Sequence, residues 1–258
     1  MQKLSGLFGM HKGAFRARRS RLKLDLTGTT VYAVGDVHGC LDELVALEKK
    51  IHADASACGL PALIVMLGDY VDRGPASSQV IDHLIAPPPQ GLERICLAGN
   101  HEVMMLDYLE GRIDLAEWGA LGAASTLMSY GIDINRVLAL SADKRIVDDM
   151  IKRSVPAFHL DFLQRLPVLL ETPEIVMVHA GLRPGIPLDE QTDDDLVSIR
   201  SAFHEKAHSL RKYVVHGHTP VSSPTRDGRR INIDTGAFFS GRLTALRIRN
   251  SKGRYFQN

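Results

Sequence analysis

A chain of 258 residues, 45% hydrophobic and 24% charged, can bury a full core and has the make-up of a soluble globular protein. Its formal charge of +1 excludes binding to nucleic acid by bulk electrostatics, and no apolar run approaches the roughly 20 residues that span a bilayer. Three scattered cysteines, Cys40, Cys58 and Cys96, supply neither a disulfide framework nor a thiolate zinc site; Cys96 reads as a small core residue, and a reducing, cytoplasmic setting is expected.

The N-terminus stands apart. Lys3, Lys12, Arg16, Arg18, Arg19, Arg21 and Lys23 precede the first acid, Asp25. A targeting peptide, a membrane-surface arm or a contact for an anionic partner would each use such a run, but the long apolar stretch of a secretory signal is missing. Residues 1–27 are therefore expected to be a solvated, poorly ordered tail, followed by a single domain over 28–258.

From Thr29 onward, short β-rich runs alternate with amphipathic stretches. Val31–Val34 reads as a strand, and Leu41, Leu44, Val45 and Ile51 recur at helical spacing. The continuous apolar run Ala62–Leu67 predicts a buried strand. Val80, Ile81, Leu84 and Ile85 mark a helix face that Pro87–Pro89 ends, and Glu93–Leu97 gives a third strand. Such alternation points to an α/β core with right-handed crossovers. From Val103 to Leu166 the pattern is helical, with Leu106, Leu109, Trp118, Leu121, Leu127, Ile146, Met150 and Phe162 expected to pack. This segment could cap a site or simply layer the scaffold. Strands return at Glu174–Val178, Tyr213–Val215, Ile231–Ile233 and Leu243–Arg249, at a spacing that suggests a second sheet rich in antiparallel pairs.

Five short segments punctuate this pattern: GDVHG (Gly35–Gly39), GDYVDRG (Gly68–Gly74), GNHE (Gly99–Glu102), HAG (His179–Gly181) and GHT (Gly217–Thr219). Each sets Asp, Asn or His beside glycine after an apolar run, where the loops of an open α/β sheet place binding groups. Carboxylate, amide and imidazole without thiolate suit Mn²⁺, Fe or Zn²⁺ better than Ca²⁺.

In order and content the segments resemble the motifs of the phosphoprotein phosphatase family of calcineurin-like metallophosphoesterases, and within it the bacterial and phage serine/threonine phosphatases. IDTGA (Ile233–Ala237) and LTAL (Leu243–Leu246) look like that branch too. The resemblance implies a four-layer α/β/β/α sandwich with two mixed β-sheets and the metals at the sheet edges. It implies Asp36, His38 and Asp69 on one metal, with Asp69 bridging to a second held by Asn100, His179 and His218. Two divalent cations follow, Mn²⁺ first, with Fe or Zn²⁺ as alternatives. A shared carboxylate offsets the repulsion of dications that usually sit about 3.5–4 Å apart, and a water between them is activated for direct in-line attack on phosphorus. By the same resemblance His101 is the general acid oriented by Asp72, and Arg73 and Asn100 face the phosphoryl group. Arg200 in VSIR is the second arginine, with Arg183 in HAGLRP as its competitor.

Structural readings cover most other polar residues. Glu102 is expected to tie a helix start or loop, Asp234 to serve a turn, and Trp118 to be core. His216 lacks the GHT context of His218, and His11, His52, His83, His159, His204 and His208 read as surface or packing histidines. Phosphoserine or phosphothreonine in proteins is the expected substrate, because DRG and GNHE resemble the protein-phosphatase branch. The alternatives are a symmetrical bis(5'-nucleosyl)-tetraphosphatase or another small-molecule phosphatase. A module that binds phosphorylated partners without turnover has no need of His101 and Asp72.

Overall fold

The computed structural model describes residues 17–141, 143–206 and 209–258. In chain order its elements are β1 (Arg21–Lys23), β2 (Thr30–Val34), α1 (Leu41–Cys58), β3 (Ala62–Met66), α2 (Ser77–Ile85), β4 (Leu92–Cys96) and α3 (Asn100–Leu109). A helical segment follows: α4 (Leu115–Gly119), α5 (Ala123–Ser129), α6 (Ile134–Leu140), α7 (Lys144–Ser154) and α8 (Ala157–Arg165). Then come β5 (Leu169–Glu171), β6 (Ile175–Val178), α9 (Asp193–Ser198), α10 (Ser201–Glu205), β7 (Tyr213–His216), β8 (Thr225–Asp227), β9 (Arg230–Asn232), α11 (Ala237–Ser240), β10 (Thr244–Arg249) and β11 (Lys252–Gln257).

Short runs without polar interruption form strands covered on both faces. In β2 (TVYAV) and β3 (ALIVM) every residue is buried. Alternate side chains go opposite ways. Val31, Ala33, Leu63, Val65 and Leu97 turn inward to meet Leu170, Met177, Val215 and Ile233 of the other sheet. Tyr32, Val34, Ile64 and Met66 turn outward into the cluster that holds Leu44, Leu47 and Ile51 of α1 and Val80 and Ile81 of α2. Leu196 and Phe203, from α9 and α10, join the same outer cluster together with Val176, Val178 and Val214 of the second sheet. The result is the expected α/β/β/α sandwich of two mixed sheets, ordered β11-β10-β2-β3-β4 and β1-β5-β6-β7-β9-β8.

Several local expectations are corrected. Leu243–Arg249 contributes β10 to the first sheet, antiparallel to β2, rather than to the second. The second sheet is less antiparallel than its spacing suggests, since β6, β7 and β9 run parallel. The tail boundary also moves. Arg21–Lys23 pairs in parallel with Leu169–Glu171, Arg19 Nη1 donates to the carbonyls of Leu163 and Leu166 at 3.0 Å each, and Arg21 Nη2 donates to Asp193 Oδ1 at 2.7 Å. Guanidinium groups that looked solvated thus cap the end of α8 and pin the start of α9. Residues 1–16 lie outside the described residues. Ile146 and Met150 are 55% and 43% exposed, whereas Val147 and Ile151 are buried: the α7 stripe is displaced by one residue, or about 100° of helix. Among the described residues no helix is long and apolar enough to cross a membrane.

Candidate dimetal centre

The ends of parallel strands in both sheets meet in one place. Asp36 and His38 follow β2, Asp69 follows β3, and Asn100 and His101 open α3 just after β4; from the other sheet His179 follows β6 and His218 follows β7. Backbone bonds tie the loops together: Val37 and His38 donate to Asp69 O at 3.1 and 2.8 Å, and Gly217 donates to His179 O at 2.8 Å. Five of the seven non-glycine residues with positive φ among the described residues, His38, Asp69, Asp72, Arg73 and His218, belong to these loops. Such strain, of order 1–3 kcal/mol at a residue, persists only where surrounding contacts over-determine it. Two close approaches explain neighbouring glycines: a Cβ at Gly99 would overlap Asp69 Oδ1, and one at Gly217 would overlap Asp36 Oδ1.

Asp69 Oδ2 is the hub. It lies 3.3 Å from His179 Nε2, 3.5 Å from His38 Nε2 and 3.8 Å from His101 Nε2. His179 Nε2 also lies 3.1 Å from Asn100 Oδ1 and 3.2 Å from His218 Nδ1. Asp69 therefore belongs to two groups of potential ligands, one with His38 and His101 and one with His179 and His218. Neighbouring carbonyls fix two of the rings: His38 Nδ1–H donates to Val71 O at 2.9 Å and His179 Nδ1–H to Leu67 O at 3.1 Å, leaving each Nε2 lone pair directed inward. Burial is the main reason that His38 and His218 are held neutral, with pKa values lowered to about 3. Asp69 is ionised: burial opposes this, but its contacts with His179 and His101 hold its pKa well below the ordinary carboxylate range.

Asp36 sits at the same centre through His218, whose N–H donates to Asp36 Oδ2 at 3.0 Å. Its Oδ1 is buried and accepts from no donor, and burial, then the charges of Asp234 and Asp69, push its pKa well up. An orphaned carboxylate oxygen beside inward-facing imidazole lone pairs, an amide oxygen and a shared carboxylate is a donor set that divalent cations satisfy. The residues present fit the two metals that the sequence resemblance implies.

Beside the hub stands a second unit. His101 Nδ1–H donates to Asp72 Oδ2 at 2.8 Å, and both side chains are buried. Burial alone would lower the His101 pKa, but the Asp69 charge and the Asp72 contact outweigh it and leave it raised, so the ring carries a proton more readily. Asp72 is itself held from the helical segment. Trp118 Nε1–H donates to its Oδ2 at 3.1 Å from α4, and Thr126 Oγ1 donates to its Oδ1 at 2.7 Å from α5. Trp118 is core, as expected, but its indole N–H reaches the site.

Glu102 ties the loops without facing the hub. Its Oε2 accepts from Gly99 and Asp69 N–H at 2.8 Å each, and its Oε1 from Tyr70 and Val71 N–H at 2.7 and 3.2 Å. The arginines divide. Arg73 Nη1 donates to His38 Nε2 at 3.1 Å and Arg200 Nε to His218 Nε2 at 2.9 Å, one guanidinium for each ligand group. Arg183, the competitor, is committed to Asp195, with Nε 2.7 Å from Oδ2. Asp234, expected to serve only a turn, does accept from Gly236 N–H at 2.9 Å, yet it is also buried against Asp36. Its sequence signal resembled that of HAG: a short strand, then Asp234, with glycine two residues on.

Residues 29–224 match the model of the calcineurin-like phosphoesterases. The chain belongs to the calcineurin-like phosphoesterase family. It is a hydrolase acting on phosphoester bonds. This phosphoesterase is 30% identical over 237 residues to bis(5'-nucleosyl)-tetraphosphatase PrpE [asymmetrical] of Bacillus subtilis (strain 168), covering 83% of this chain and 89% of that protein. It is 27% identical over 237 residues to the PrpE of Anoxybacillus flavithermus (strain DSM 21510 / WK1), covering 83% and 88%. Among solved structures, it superposes with a TM-score of 0.65, at 20% identity, on a protein provisionally described as a diadenosine tetraphosphatase, covering 93% of this chain and 98% of that one. A serine/threonine phosphatase from Saccharomyces cerevisiae gives a TM-score of 0.54 at 14% identity, over 93% and 83% of the two chains, which speaks for the fold alone.

Proposed function

We propose that this phosphoesterase hydrolyses dinucleoside tetraphosphates, and does so asymmetrically. The observation that carries the substrate is the likeness to PrpE tetraphosphatases, which reaches 30% identity over most of both chains. It outweighs the motif resemblance that favoured phosphoproteins, and it replaces symmetrical with asymmetrical cleavage in the nucleotide alternative.

Asp36, His38 and Asp69 would hold one divalent cation, and Asp69, Asn100, His179 and His218 the other. Oxygen and imidazole donors suit Mn²⁺, Fe or Zn²⁺, and the sequence resemblance puts Mn²⁺ first. Bound there, the pair would acidify a water and polarise the phosphoryl group. The remaining work falls to the chain's own side chains. Arg73 and Arg200 flank the two ligand groups and would take phosphoryl oxygens through their planar forks, with the Asn100 amide beside them. His101, which Asp69 and Asp72 make readier to carry a proton, would deliver it from Nε2 to the leaving oxygen.

One observation supports a second reading. A buried acid dyad such as Asp72–His101 matters most when the leaving group is a poorly stabilised alkoxide, as in phosphoserine. The test supplies Mn²⁺-loaded protein with diadenosine tetraphosphate and a phosphoserine peptide in parallel, and separates the products. ATP plus AMP is expected from the dinucleotide; two ADP would mean symmetrical cleavage, and a much higher kcat/KM on the peptide would replace the nucleotide reading with the phosphoprotein one.

A further inference from the structure

We propose that Phe238 and Phe239 form a stacking shelf for a nucleobase at the rim of the metal centre. The shelf deepens the nucleotide reading above and rests on it for the identity of the full substrate.

The two rings belong to α11, a single helical turn just beyond β9. Ala237 is buried and anchors the turn, while Phe238 and Phe239 are 37% and 65% exposed. Phe238 stands edge-on to the His38 ring at 5.4 Å and 81°, and the Arg73 guanidinium lies 4.9 Å from its centroid. Phe239 packs edge-on to Phe238 at 4.9 Å and 86°. Two short contacts therefore lead from the guanidinium that would hold a phosphoryl oxygen to an exposed aromatic ring.

The turn is built rigidly. Thr235 Oγ1 donates to Arg242 O at 2.7 Å, Ser240 Oγ donates to Thr235 O at 2.7 Å, and Gly236 N–H donates to Asp234 Oδ1 at 2.9 Å. Phe239 packs so closely on Gly236 that a Cβ there would overlap the ring. Phe239 is thus set against backbone, which limits the movement of the ring and lowers the ordering cost of stacking on it.

Other exposed apolar residues lack that setting. Leu138, Leu140 and Ile146 are aliphatic and lie on the helical segment, and exposed Phe158 of α8 packs edge-on to His159 rather than to a ring of the metal centre. An exposed aromatic pair touching a metal-site imidazole and a phosphate-directed cation fits a planar base joined to an anion. Stacking on an aromatic ring is worth about 1–3 kcal/mol per base, or roughly 5- to 150-fold in affinity.

The test compares AMP with ribose 5-phosphate, the same phosphomonoester without the base, as competitors of p-nitrophenyl phosphate hydrolysis by the Mn²⁺-loaded full chain. AMP is expected to compete about tenfold more tightly than ribose 5-phosphate. Phe239→Ala should remove that advantage and leave the ribose 5-phosphate constant unchanged, while Phe239→Trp should restore it. Equal competition by the two in wild type, or an equal loss of both in Phe239→Ala, would overturn the shelf. So would a Phe239→Ala variant that loses a phosphoserine peptide but keeps its preference for AMP, since that assigns the rings to a peptide side chain. An AMP preference without cleavage of diadenosine tetraphosphate would instead sink the substrate reading and leave the shelf standing.

Discussion

Replacing Glu102 by Gln should unhinge the metal centre from behind. The carboxylate accepts four backbone N–H groups, two on each oxygen, from Gly99, Asp69, Tyr70 and Val71, and it is fully buried. An amide supplies one oxygen and one NH₂. Whichever way it turns, two buried N–H donors face another donor. Each unsatisfied donor costs about 1–3 kcal/mol, so Glu102→Gln should destabilise the protein by roughly 2–6 kcal/mol. That is a large part of a typical total of about 5–15 kcal/mol. Because the same bonds keep Asp69 at φ 54, the variant should also bind Mn²⁺ more weakly, although no ligand is altered. Urea unfolding of chelated wild type and variant isolates the first effect, and Mn²⁺ titration of the folded proteins reads the second. An unchanged unfolding midpoint with unchanged Mn²⁺ affinity would refute the reasoning.

Two further outcomes are expected. Trp118→Phe deletes the indole N–H that donates to Asp72, a charge-assisted bond worth about 1.5–3 kcal/mol. Its kcat should fall roughly tenfold or more on an alkyl phosphate and much less on p-nitrophenyl phosphate, because only the poor leaving group needs a well-placed acid; equal losses on both would remove Trp118 as a positioning residue. Far from the centre, Glu48 is buried between Arg94 at 2.8 Å and His83 at 2.6 Å. Burial would raise its pKa, but the His83 and Arg94 contacts outweigh burial and lower it from the ordinary 4.5. The stabilisation is complete above that ordinary value and is lost as pH falls through the lowered one. Glu48→Gln should therefore cost up to about 3–5 kcal/mol at pH 7 and progressively less as the solution is acidified below pH 4.5, measured by denaturation at each pH. A pH-independent cost would contradict it.

The convergence of the site residues was legible because each sits within two positions of a glycine just beyond a strand. That local pattern survives in one dimension, and Asp36, His38, Asp69, Asn100, His179 and His218 do lie together in three. Features set by long-range partners were not legible. Arg21 carries no mark of its parallel pairing with Leu169, nor Trp118 of its bond to Asp72 across 46 positions. Arg200 and Arg183 look alike until Asp195 is seen to claim the latter. β11 (KGRYFQ) is polar enough to read as a loop and is held by register against β10, through a turn in which Asn250 and Ser251 both have positive φ. Ile146 and Met150 were one helical step out of phase with the buried Val147 and Ile151, an error that pattern reading makes easily in a short helix with a mixed face. Substrate was hardest, since a donor set suited to two metals can serve many phosphoesters, and the shelf proposed at Phe239 lies outside the five segments.

The claim that Asp69 joins two cation sites is tested most directly by adding Mn²⁺ stepwise to fully chelated protein, with metal content and phosphoesterase rate read on the same samples. Activity should be absent without metal, rise mainly as the second equivalent binds, and fail to appear in Asp69→Ala even though that chain folds. Full activity in verified metal-free protein, or at a single equivalent, would contradict it.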